Sequence, residues 1–198
     1  MRALPLLLTL AACSPDIGSG TYFCGPERLC PPNLGCDDST YTCMRPAAVE
    51  PFACPEDAEA AEPDGSTDQA DQRGDLVCGG AVSQPDGCIA DGDQIDVLAF
   101  TVPTTCLGAD PHLAVTLRFP IALVPLRVQL LDAGGQPLAA GQECTPDDDF
   151  TGKLYQCIET PLDPGDYFLQ VDIDPDGGDC GGDCRHNSYS LDVLFPLS

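Results

Sequence analysis

The sequence predicts an all-β protein: an antiparallel β-sandwich over residues 78–198, preceded by a small disulfide-rich module and an acidic linker. Three observations carry that expectation. Apolar residues alternate with polar ones in run after run of the second half, with no helical period. The chain holds 20 Gly, 20 Pro and no Trp, a composition of short strands and tight turns. It also holds 13 Cys and only two His, with no Cys-x-x-Cys pair, which favours disulfide staples over a Cys/His zinc site. Such thiol usage belongs to an exported protein, because reducing cytosol does not sustain it.

The N-terminus reads as an export signal. Arg2 supplies a positive charge, Leu4–Leu10 is a short apolar run, and Ala11 and Ala12 precede Cys13. The run is too short to span a bilayer as a helix. The tetrapeptide Leu10-Ala11-Ala12-Cys13 resembles the bacterial lipobox, in which the Cys becomes the acylated first residue of the mature chain. That resemblance makes residues 1–12 a signal peptide and Cys13 the lipidation site. Removing Cys13 from 13 thiols leaves 12, an even number able to pair completely. Ser14 follows in place of Asp, which among lipoproteins of two-membraned bacteria implies the outer membrane, facing the periplasm or the cell surface. The alternative is an ordinary signal peptide beside a structural Cys.

Residues 13–20 are small and polar and read as a tether. Residues 21–44 carry Cys24, Cys30, Cys36 and Cys43 among turn formers such as Pro26, Pro31, Pro32 and Gly35. This stretch has too little apolar mass for a core, so two disulfides must hold it. It resembles small EGF-like or knot-like modules. Three pairings are open, with an interlocked first-to-third, second-to-fourth arrangement among them. Residues 45–77 read as a solvated acidic linker, because eight acidic residues and one Arg lie between Glu56 and Asp75.

The β pattern follows. Ile95–Val102 makes one strand. Leu113, Val115, Leu117 and Phe119 line one face of a second. Leu126, Val128 and Leu130 line a third, which stops at Asp132-Ala133-Gly134-Gly135. Leu154–Thr160 is a fourth, Tyr167–Ile173 a fifth, and Tyr189–Phe195 a sixth. Six short strands at this spacing argue a sandwich. Cys144 and Cys157 are expected to close a loop over Asp147-Asp148-Asp149, and Cys180 to pair with Cys184. Cys54, Cys78, Cys88 and Cys106 share two further bonds.

The order of these pieces is similar to bacterial pre-peptidase C-terminal domains over about residues 88–196. The resemblance rests on four segments. Asp91-Gly92-Asp93-Gln94-Ile95-Asp96 leads into the strand ending Phe100-Thr101-Val102. Val128-Gln129-Leu130-Leu131-Asp132-Ala133-Gly134 forms a leucine strand and turn. Leu162-Asp163-Pro164-Gly165-Asp166-Tyr167 runs on to Val171. Ser188-Tyr189-Ser190-Leu191-Asp192-Val193 closes the set. The family implies a jelly-roll-like β-sandwich that binds or accompanies and does not catalyse. Its acidic opening, here Asp91, Asp93 and Asp96, is read as a turn that starts a strand.

The segment Asp172–Asp183 copies the spacing of a calcium loop, with Asp172, Asp174 and Asp176 at positions 1, 3 and 5, Gly177 at 6 and Asp183 at 12. Calcium is therefore the candidate metal. A solvated acidic hairpin tip is the alternative, since the flanks are strands and Asp183 stands where the loop wants a longer Glu. Enzymatic signatures are missing: there is no Gly-x-Ser-x-Gly and no His-Glu-x-x-His, and His186 reads as a solvated loop residue. The formal charge of -24 repels nucleic acid and anionic lipid. The expected function is a non-enzymatic, lipid-anchored envelope protein whose sandwich binds a protein or glycan. Two alternatives stand beside it, a calcium-binding structural module and an accessory or inhibitor subunit of a secreted hydrolase.

Overall fold

The computed structural model describes residues 18–49, 52–54, 64–90, 94–106, 112–144, 152–177 and 185–195. Twelve strands lie in these residues: β1 (Gly35–Asp37), β2 (Thr42–Met44), β3 (Asp71–Asp75), β4 (Ala81–Ile89), β5 (Ile95–Val102), β6 (His112–Pro120), β7 (Leu126–Asp132), β8 (Pro137–Ala140), β9 (Gln142–Glu143), β10 (Lys153–Pro161), β11 (Gly165–Ile173) and β12 (Asn187–Leu194). The helical segments among the described residues are three-residue turns, so none is long enough to cross a membrane.

Two five-stranded sheets form the sandwich, in the orders β4-β12-β6-β10-β9 and β3-β5-β11-β7-β8. The alternation read from sequence sets which side chains meet. Leu113, Val115, Leu117 and Phe119 of β6 face Leu126, Val128 and Leu130 of β7 and Leu169 and Val171 of β11 in one core. The opposite face of β6 carries Ala114, Thr116 and Arg118, and Arg118 pairs with Asp192 of β12 at 2.5 Å. Each of the six expected strands is present. β4 did not stand out in the sequence because Pro85, Asp86 and Gly87 interrupt it. It is an edge strand, and its pairing with β12 shifts register between Tyr189 and Leu191, which is where Pro is tolerated.

The chain passes from one sheet to the other at Gly141, between β8 and β9. A Cβ there would stand 2.8 Å from both Gln156 Oε1 and Val128 Cγ1. Gln156 of β10 spans the same gap: its Nε2 donates to Leu126 O at 2.9 Å and its Oε1 accepts from Val128 N at 3.2 Å. A side-chain amide thus satisfies the backbone of β7, where no neighbouring strand of that sheet does so.

Two expectations need correction. Residues 64–77 belong to the sandwich and not to a solvated linker. β3 pairs in parallel with β5, an exception to the antiparallel rule. The parallel step is possible because β4, lying in the opposite sheet, supplies the long crossover that parallel strands require. Leu76 enters the main core at 2% exposure, and Ala70 packs on Val97 and Ala99. Two apolar side chains at the right positions outweigh the acidic average of the segment.

The Cys-rich module is not held away from the sandwich by a solvated linker. Cys24 bonds Cys36 and Cys30 bonds Cys43, an interlocked pair closing loops of 12 and 13 residues. In a chain-entropy account each closure contributes about 3 kcal/mol. The sulfurs form a small core completed by Ala122, from the β6–β7 connection. Tyr41 and Ser188 share a hydrogen bond at 2.5 Å, and Phe23 lies against Gly152. The module is therefore docked on one end of the sandwich.

Candidate functional site

Cys13 lies outside the described residues, as do Asp91, Asp93, Asp147, Asp148, Asp149, Cys180, Asp183 and Cys184. The structure bonds Cys54 to Cys88, tying residues 52–54 to the end of β4, and Cys144 to Cys157, joining the end of β9 to β10. Cys78 is also disulfide-bonded. Cys106 closes a short turn after β5.

The calcium-loop reading does not survive at its first position, Asp172. β11 runs through Ile173, so Asp172 sits on a strand and not in the loop. Its cross-strand partner is Arg127 of β7. Arg127 Nε donates to Asp172 Oδ1 at 2.5 Å and Nη2 to Oδ2 at 2.9 Å, and Gln170 Nε2 adds a bond to Oδ2 at 2.7 Å. The carboxylate is 9% exposed and already faces a cation. Asp172, then the charges of Asp174 and Asp176, hold the Arg127 guanidinium above its ordinary pKa. Asp174 Oδ1 accepts from Asp176 N at 3.0 Å, an Asx turn at the start of the connection from β11 to β12, which lie in opposite sheets and so form no hairpin. Among the described residues, the only trio of ligand atoms within 4.8 Å of one another is Cys24, Cys30 and Cys43, whose sulfurs are in disulfides.

Asp96 is also more than a turn former. It points inward from β5 at 3% exposure and accepts a hydrogen bond from Tyr189 Oη at 2.5 Å across the sandwich. Burial first, and the Asp96 charge second, raise the Tyr189 phenol well above its usual pKa, so it stays a donor. Gly87 leaves room for that ring, since a Cβ there would fall 2.1 Å from Tyr189 Cζ. Asp64 is buried near the same phenol.

His186 is half-buried, not solvated: its ring stacks on Phe52 with centroids 4.2 Å apart. Its charge and that of Arg28 act on Asp38 of the Cys module, while burial, the largest influence, raises the Asp38 pKa. Arg28 Nη2 lies 2.7 Å from Asp38 Oδ2. The Arg28–Asp38 pair lies within the module, and the charge of His186 reaches it from the sandwich side.

A groove of about 290 Å³ opens on the outer face of the β3-β5-β11 sheet. Its lining includes the apolar Ala99 and Phe168 and the polar Gln72, Thr101 and Asp166. Phe168 packs against the Ala70, Val97 and Ala99 cluster, which steadies its ring. Thr101 Oγ1 donates to Asp166 Oδ1 at 2.7 Å, and Gln72 Nε2 donates to Ala70 O at 3.0 Å. Gly74 lies at the irregularity of β3 with φ +73°, and a Cβ there would meet nothing within 4 Å. No Lys, Arg or His is among the described residues lining the groove. No sequence signal points to this site, because β3 is hidden in an acidic stretch and supplies Gln72 and Gly74 to the groove.

No family model matches the chain, and no curated protein matches it. Among solved structures it is similar to the pre-peptidase C-terminal domain of collagenase from Bacillus anthracis, with 17% identity over 63% of this chain and 93% of that chain and a TM-score of 0.38. The likeness is distant and carries no argument about function; the all-β, two-sheet sandwich stands on the strand pairing itself.

Proposed function

We propose that this protein is a lipid-anchored, non-catalytic component of a bacterial cell envelope, whose sandwich binds an envelope or extracellular ligand. The observation that carries the reading is the lipobox-like Leu10-Ala11-Ala12-Cys13, placed directly before a module built on disulfides. Disulfides need an oxidising compartment, which a signal peptide reaches. Docking of the module on the sandwich adds a mechanical consequence. An anchor at Cys13 would hold the whole body close to the bilayer, since the five residues from Cys13 to Ile17 span at most about 18 Å. Ser14 favours the outer membrane. The charge of -24 keeps the body off an anionic surface, so the lipid itself must supply the attachment.

The test is mass spectrometry of the mature N-terminus, with and without globomycin. Acylated Cys13 as the first residue, with the precursor accumulating under the inhibitor, is the expected outcome. A mature chain without lipid, processed normally under globomycin, would overturn the anchor.

A further inference from the structure

We propose that the groove over β3, β5 and β11 binds one neutral sugar residue of a glycan; this deepens the binding-module reading above and rests on it. Its lining argues against anionic ligands, metal ions and wholly apolar ligands. Anions find no cation there, in a protein of charge -24. A metal ion finds the single carboxylate of Asp166, where hard cations take six or more oxygens. A wholly apolar ligand would strand Gln72, Thr101 and Asp166 without water.

A pyranose meets each requirement. It has an apolar C–H face for the Phe168 ring, whose π-face is electron-rich, and hydroxyls on its rim. The Asp166 carboxylate accepts from a hydroxyl while Thr101 holds it in place. Gln72 Oε1 accepts from another, its Nε2 being engaged by Ala70 O. The volume sits at the small end for ligand pockets, suited to a single ring. Gly74 also lines the groove. Its positive φ suits the irregularity of β3, and the missing side chain leaves open space along the groove in which a ring can approach the backbone.

The experiment is a titration of the ¹⁵N-labelled full chain carrying Cys13→Ser, followed by amide chemical shifts. The probes are cellohexaose, maltohexaose and N-acetylchitohexaose, with oligogalacturonate as the anionic control. At least one neutral probe should bind with Kd on the order of 1 mM and move the amides of Gly74, Thr101 and Phe168, with Phe168→Ala weakening it about tenfold. Gly74→Asn keeps a residue that tolerates positive φ and fills the open space. It decides the matter if Phe168→Ala fails to fold, and should also abolish binding. Silence from all three neutral probes, preference for the anionic control, or binding unchanged in Gly74→Asn overturns the proposal. Cys13→Ser removes any dependence on acylation, so a failed titration leaves the anchor reading intact, and an unacylated native N-terminus leaves the sugar result intact.

Discussion

Tyr189 and Asp96 sit 93 residues apart and meet inside the sandwich. Neither is unusual alone. Tyr189 alternates into the core as its strand dictates, and Asp96 does the same on β5. What makes the pair work is that a buried carboxylate is costly unless a donor reaches it. The phenol is that donor, kept protonated by its own burial. Tyr189→Phe preserves the packing and removes only the hydroxyl. It should cost about 1–3 kcal/mol of stability, read from urea unfolding without reductant. A change indistinguishable from zero would show that Asp96 is satisfied without the phenol. The same logic explains Asp172. Read by spacing it is a calcium ligand, but an Arg directly opposite in register takes both its oxygens.

At the scale of elements, the six strands with strict alternation were legible because a period of two needs only the residues themselves. β7, for instance, puts Leu126, Val128 and Leu130 inside and ends at the Asp132–Gly135 turn, where Asp132 Oδ1 accepts from Gly134 N and Gln136 N, each at 2.8 Å. β3 was not legible. Asp71-Gln72-Arg73-Gly74-Asp75 has no apolar residue, and its strand state comes from pairing with β5. Leu76, the residue after it, anchors the segment in the core. Leu76→Ala should cost about 2–4 kcal/mol by leaving a cavity, where a solvated linker would give almost nothing. Thermal melting under oxidising conditions separates the two. An unchanged midpoint would return residues 64–77 to the linker.

For the whole molecule, the decisive contact is module on sandwich. Ala122, 1% exposed, closes the sulfur core of the module from the β6–β7 connection. Tyr41–Ser188 and Phe23–Gly152 extend that seam. The β1–β2 hairpin is too small to protect its own amides, so docking should supply most of their protection from hydrogen exchange. Ala122→Glu puts an unpaired charge into the seam. It is expected to speed exchange in β1 and β2 about tenfold or more while β6 and β12 stay protected. Equal exchange in the two proteins would mean that the module stands on its disulfides alone.

The sequence by itself determined the strands whose faces alternate, the supply of cysteines for disulfides, and the formal charge of -24. Each of these depends on composition or on neighbours a few residues apart. Only the tertiary structure decided that β3 exists, that the Cys module is docked, that Asp172 belongs to Arg127, and that a groove opens beside Phe168. In each of those cases the deciding partner is distant in sequence: Thr101 and Phe168 are 67 residues apart, and Tyr41 and Ser188 are 147 apart. Burial and pairing across such separations leave no local period behind, because the free energy that fixes them is released only when the sheets close.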